Sequence, residues 1–109
     1  MAAPQVEKLY EESLLYDFYG ELLTEHQKQV FEDAVLNDYS LAEVAEDIGI
    51  SRQGVHDLVK RTRQALAGYE EKLHLVQKFI RIRDNVNRIQ KMTEDEGIRK
   101  LTEEILEEL

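Results

Sequence analysis

There is no cysteine among the 109 residues, so a disulfide framework and a zinc–thiolate site are both excluded. The single proline, Pro4, precedes every periodic segment, and no later helix is forced to break. No apolar run approaches the ~18 residues that suggest a membrane span. The start, Met-Ala-Ala-Pro-Gln-Val-Glu-Lys, lacks the basic opening and apolar stretch of a signal peptide. A soluble, cytoplasmic chain is the expectation. Strand signals are missing too, since nothing alternates with period two for long. The five glycines stand singly, so no glycine-rich phosphate loop precedes a helix.

Basic residues are outnumbered, 14 Lys and Arg against 23 Asp and Glu, for a net charge of −9. Taken whole, that figure argues against binding a polyanion. Divided along the chain it reads differently. Residues 1–50 carry 12 acids and two bases, a net of −10; residues 51–92 carry ten bases and four acids, a net of +6; residues 93–109 carry seven acids and two bases, a net of −5. A basic middle is framed by two acidic ends.

What is present is helical periodicity with its punctuation. Leu9, Tyr10, Leu14, Leu15, Phe18, Tyr19 and Leu22 form an apolar stripe opposed by Glu7, Glu11, Glu12 and Asp17, with Gly20 as the stop. Thr24-Glu-His-Gln27 fits a capping box and opens a helix to about Leu36, closed by Asn37-Asp38. Ser40-Leu-Ala-Glu43 fits a second box, and Ser51 caps a helix beginning at Arg52. The pattern leaves open whether that helix runs unbroken through Gly68 and His74 to Met92, because a helical Gly costs only ~1 kcal/mol. Thr93-Glu-Asp-Glu96 fits a third box before a final helix with Ile98, Leu101, Ile105 and Leu109 on one face.

The stretch from Leu41 to Lys60 meets the demands of a helix-turn-helix. Ala45 is the small residue where two helices touch, and Gly49 supplies the turn. Val44, Ile48, Ile50, Val55 and Leu58 are the apolar positions that pack the pair on the preceding helix. In that geometry the second helix offers its first turns to a DNA major groove. The outward residues are Ser51, Arg52, Gln53, His56, Asp57 and Lys60, with Lys60, Arg61 and Arg63 as a phosphate-binding rim. Asp57 points an anion at the groove, and Gly54 sits inside the reading helix.

With those residues located, the sequence resembles the YlxM family of small bacterial helix-turn-helix proteins. The resemblance rests on Asp17-Phe-Tyr-Gly-Glu-Leu-Leu-Thr24, on Asp38-Tyr-Ser-Leu-Ala-Glu-Val-Ala-Glu-Asp-Ile-Gly-Ile-Ser-Arg-Gln53, and on Tyr69-Glu-Glu-Lys-Leu73. It covers roughly residues 8–92, and the second block is similar to region four of bacterial sigma factors. The resemblance implies an all-α fold, a bacterial cytoplasmic protein and a link to the signal recognition particle pathway. Gly54 and His56 depart from the Ala and Tyr that family members tend to carry.

The remaining chemistry is sparse. The carboxylate pairs Glu11/Glu12, Glu46/Asp47, Glu70/Glu71 and Asp95/Glu96 are expected on solvated faces or in first helical turns. His26, His56 and His74 lack i,i+4 partners, so neither a metal site, a cofactor nor a catalytic centre is expected. Leu75, Phe79, Ile82, Val86 and Ile89 recur at 4-3-4-3 spacing, a seam for a partner helix and so for a homodimer. Lys78, Arg81, Arg83, Arg88 and Lys91 hold the opposite face. The expectation is therefore an all-α, sigma region four-like helix-turn-helix domain over residues 1–70 with a C-terminal helical extension over 71–109. Its expected role is that of a non-enzymatic regulator binding DNA or RNA, linked to the signal recognition particle. The rival is an adaptor that binds a protein partner and no DNA.

Overall fold

A computed structural model describes residues 4–109 of the chain, with side chains from residue 7 onward. Its elements are helical: α1 (Pro4–Tyr19), a 3-10 turn (Gly20–Leu22), α2 (Glu25–Val30, continuing as a π-helical stretch over Phe31–Leu36), α3 (Leu41–Ile48), α4 (Arg52–Leu73), α5 (Leu75–Met92) and α6 (Glu96–Glu108). The described residues form two compact units, the first ending at Leu73 and the second running from His74 to Leu109. No described helix is long and apolar enough to cross a membrane.

The punctuation is realised in side-chain hydrogen bonds. At Thr24 the box is complete: the Gln27 amide donates to Thr24 Oγ1 at 3.2 Å, and the Thr24 amide donates to Gln27 Oε1 at 3.0 Å. Ser40 accepts from the Glu43 amide at 3.1 Å, but its hydroxyl donates to the Glu43 carboxylate, so only half of a box forms. Ser51 Oγ accepts from the Gly54 amide at 3.0 Å. The third box is corrected. Asp95, not Thr93, caps α6 by accepting from the Ile98 amide at 3.0 Å, while Thr93 accepts from the Asp95 amide at 3.1 Å.

The first unit has a continuous core. Val30, Val44, Ala45, Val55 and Val59 are buried together, with Ala34, Val35, Ile48, Ile50 and Leu58 packed around them. Leu14, Tyr19, Phe31 and Leu66 extend the buried set toward α1, where the Tyr16 ring stacks on Phe31 at a centroid distance of 5.2 Å. The stripe on α1 is narrower than its periodicity suggests: Leu14 and Tyr19 are buried, whereas Leu9 and Tyr10 are exposed. Tyr19 is the anchor. Its hydroxyl donates to Glu70 Oε1 at 2.5 Å and its ring lies 5.9 Å from that of Tyr69, so two sequence blocks fifty residues apart meet here.

α4 passes through Gly68 without interruption and stops at Leu73. His74 follows in the left-handed region, φ 56°, and α5 begins directly after it. In the second unit α5 and α6 pack as a hairpin joined by Thr93–Asp95. Only Val76, Val86 and Thr102 of its described residues are buried.

Candidate nucleic-acid interface

The site is built by the turn between α3 and α4. Gly49 ends α3 at φ 83°, and both its amide and that of Ile50 donate to the Ala45 carbonyl, at 2.9 and 3.1 Å. That left-handed closure is what glycine supplies without a Cβ penalty. Two residues later Ser51 caps α4, so the turn fixes where the second helix starts and which face it shows. Val55 and Val59 point into the core, fully and nearly fully buried. The opposite face is then left to solvent.

On that face Ser51, Arg52, Gln53, His56, Asp57, Lys60 and Arg61 are all exposed. Arg52, Lys60 and Arg61 have no acidic partner among the described residues. Gln53 Nε2 donates to Asp57 Oδ1 at 3.0 Å, and His56 Nδ1 lies 3.6 Å from the same oxygen. The acid on the reading face therefore engages the two polar side chains beside it and leaves the three cations unpaired. Exposed pairs of this kind contribute little stability. Gly54 is half-buried, and a Cβ there would approach Ser51 Oγ to 3.2 Å.

Arg63 departs from the expected rim. Its Nε donates to Glu12 Oε1 at 2.9 Å and its Nη2 to Glu12 Oε2 at 3.4 Å, a bidentate pair joining α4 to α1. Glu12, expected on a solvated face, is only 9% exposed. The Arg63 side chain is still 43% exposed; it stands about 60° around α4 from Lys60, where its guanidinium reaches Glu12 on α1. Its charge is spent on holding the buried carboxylate, which would be costly to leave alone.

One member of the exposed face was not singled out in the sequence. Gln64 is exposed and lies four and eight residues beyond Lys60 and His56, so the same spacing rule identifies it. The expected α5 seam is also revised. Val86 is buried and Phe79 half-buried within the hairpin, while Leu75, Ile82 and Ile89 are 40–45% exposed. α6 adds exposed Ile98, Leu101 and Ile105.

A tri-helical core carrying a short helix, a glycine turn and a capped second helix with one exposed polar face defines a helix-turn-helix protein. The comparisons give that class a family. The family UPF0122, described as "Putative helix-turn-helix protein, YlxM / p13 like", matches residues 6–108, and the chain belongs to it. A UPF0122 protein of Thermoanaerobacter sp. (strain X514) is 46% identical over 104 residues, 89% of each chain. One from Acetivibrio thermocellus is 44% identical over 114 aligned residues, 95% of this chain and 97% of the relative. One from Listeria innocua is 48% identical over 73 residues, 67% of this chain and 66% of the relative.

Proposed function

We propose that this chain is a non-enzymatic DNA-binding regulator that reads duplex DNA with the first turns of α4. One observation carries the reading: Arg52, Lys60 and Arg61 stand unpaired on the exposed face of a helix whose start is fixed by the Gly49 turn and the Ser51 cap. Arg52 and Gln53 are suited to guanine and adenine edges, His56, Lys60 and Gln64 continue the row, and Ser51 and Arg61 serve phosphates. Arg63 is left out of that role because Glu12 holds it.

The same proposal includes a homodimer, joined through the second unit. Ile82 and Ile89 on α5 and Ile98, Leu101 and Ile105 on α6 leave apolar area exposed on both helices of a hairpin that buries few side chains of its own. Two copies would present two α4 helices to two half-sites. The test is selection from random duplexes followed by titration at several salt concentrations. The expected result is a preferred site whose affinity falls steeply with salt and drops on Arg52→Ala. Equal, feeble binding to every duplex rejects the reading.

The finer link implied by the family resemblance, to the signal recognition particle, is tested by co-purification with and without nuclease. Particle RNA or protein retained by the wild-type chain would support it. A protein-only adaptor would instead retain its partner after nuclease and ignore all nucleic acids.

A further inference from the structure

The second unit carries a charged surface that the reading above does not use. At the angular step of an α-helix, Lys78, Arg81, Arg88 and Lys91 fall within an arc of about 140° on α5. All four are exposed, and none has an ion-pair partner among the described residues, in a protein with 23 acids. Lys28 and Arg63 in the first unit and Arg83 in the second do have such partners. The packing of the hairpin makes no use of the four. Like charges gathered on one helix face repel each other, so the arrangement calls for an anion of matching shape.

The spacing narrows that shape. Lys78 and Arg81 lie one turn apart, as do Arg88 and Lys91, and at 1.5 Å per residue the two pairs are centred about 15 Å from each other. Between them on the same arc stand Asp84, the one acid of α5, and Asn85, both exposed. Asp84 is held by Arg83 at 3.2 Å, but it is still 58% exposed, and against a continuous anionic sheet such as a lipid surface it would face charge of its own sign. Over a groove it faces base edges, with the phosphates to either side. B-DNA has a major groove about 12 Å wide that admits a helix, whereas that of A-form RNA is too narrow and deep.

We infer that α5 is a second DNA-contacting element, lying across the major groove of a B-form duplex with Lys78 and Arg81 on one phosphate backbone and Arg88 and Lys91 on the other. The inference rests on the reading that the chain binds DNA, but it assigns a separate surface to the contact. The bond is electrostatic and released by salt. It adds affinity and register without sequence preference.

The experiment uses the full chain and a 30-base-pair duplex, with the dissociation constant measured across salt concentrations. The variant K78Q/R81Q/R88Q/K91Q is compared with R52A/K60Q, each checked for helicity by circular dichroism. Each phosphate contact contributes about 0.9 to the slope of log affinity against log salt, so the fourfold variant should flatten it by roughly 3 to 4. At low salt it should bind at least tenfold more weakly while keeping the wild-type site preference. R52A/K60Q should lose the preference and flatten the slope by about 2 at most. A fourfold variant with the wild-type slope overturns the inference alone. So does a loss seen equally on double-stranded RNA, on a single strand of the same length or on phosphatidylserine vesicles. If the wild-type chain binds no duplex, the proposed function falls and the inference falls with it.

Discussion

The two units solve the same problem, packing helices into a stable body, with very different amounts of interior. The first encloses Tyr19, Val30, Phe31, Val44, Val55 and Leu66 almost completely, drawn from four helices. The second is a hairpin in which Val76, Val86 and Thr102 are the buried side chains, while Ile82, Ile89, Ile98, Leu101 and Ile105 stay 42–60% exposed. Where the interior is dense, a turn can be placed to within a residue and a recognition face follows from it. Where it is thin, the helices keep apolar surface that asks for another surface to cover it. Two left-handed helix junctions differ as well, Gly49 inside the first unit and His74 at the start of the second. Gly49 takes the left-handed conformation without strain, whereas His74 takes it with a side chain attached.

Substitutions can break this contrast. Phe31→Ala should cost about 3–5 kcal/mol in urea unfolding, since the ring is fully buried and stacked on Tyr16. Val86→Ala should cost only about 1–2 kcal/mol; equal losses would erase the distinction between the two interiors. Next in size is Arg63→Ala, which strands the buried Glu12 carboxylate and should cost about 2 kcal/mol, with R63A/E12Q recovering part of it. A rim arginine serving only phosphate would show no such loss. At the junctions, Gly49→Ala should cost about 1–2 kcal/mol from backbone strain alone, because nothing lies within 4 Å of the added Cβ. His74→Gly, by relieving the same conformation, should be neutral or stabilising by a few tenths of a kcal/mol. A loss at His74 comparable with that at Gly49 would mean that the histidine side chain is itself needed.

The smallest effect concerns alkali. Burial pushes the Tyr16 phenol well above its ordinary value, and its hydrogen bond and repulsion from Glu32 add to the shift. The folded-state pKa is raised, so the stability tied to this proton is complete below about pH 10 and is lost as pH rises beyond it. Tyr16→Phe should therefore soften the decline of the melting temperature above pH 10 while changing little at neutral pH. An unchanged alkaline decline would place the titrating group elsewhere.

Much of the first unit was legible because its signals are local. The Thr24 box, the Ser51 cap and the Ala45–Gly49 spacing each lie within five residues, and the apolar offsets of the helix-turn-helix follow from one helical period. What could not be read depends on partners far away in sequence. Glu12 looks like any surface acid until Arg63, 51 residues on, is brought against it. The cap of α6 failed for a different reason: Thr93 and Asp95 both fit the role, and Thr93 turned to the Asp95 amide instead. On α5 the 4-3-4-3 spacing located an apolar side but not how its members divide. Val86 went inward and Ile82 and Ile89 stayed out, a division set by rotation against α6 rather than by residue type. Gln64 was within reach of the spacing rule and needed only that the helix be continued one more turn.

The last turns of α2 carry a further consequence. Over Phe31–Leu36 the backbone widens, and the amide of Asn37 donates to the carbonyl of Glu32, five residues back, at 2.8 Å. A widened turn of this kind is an ordinary helix holding one surplus residue. Its length can therefore change by one residue at low cost, as the bulge closes into regular α-helix while both ends keep their places. Deletion of a single residue between Glu32 and Leu36 should be absorbed there, whereas the same deletion in α3 would rotate Val44 and Ala45 out of the interior.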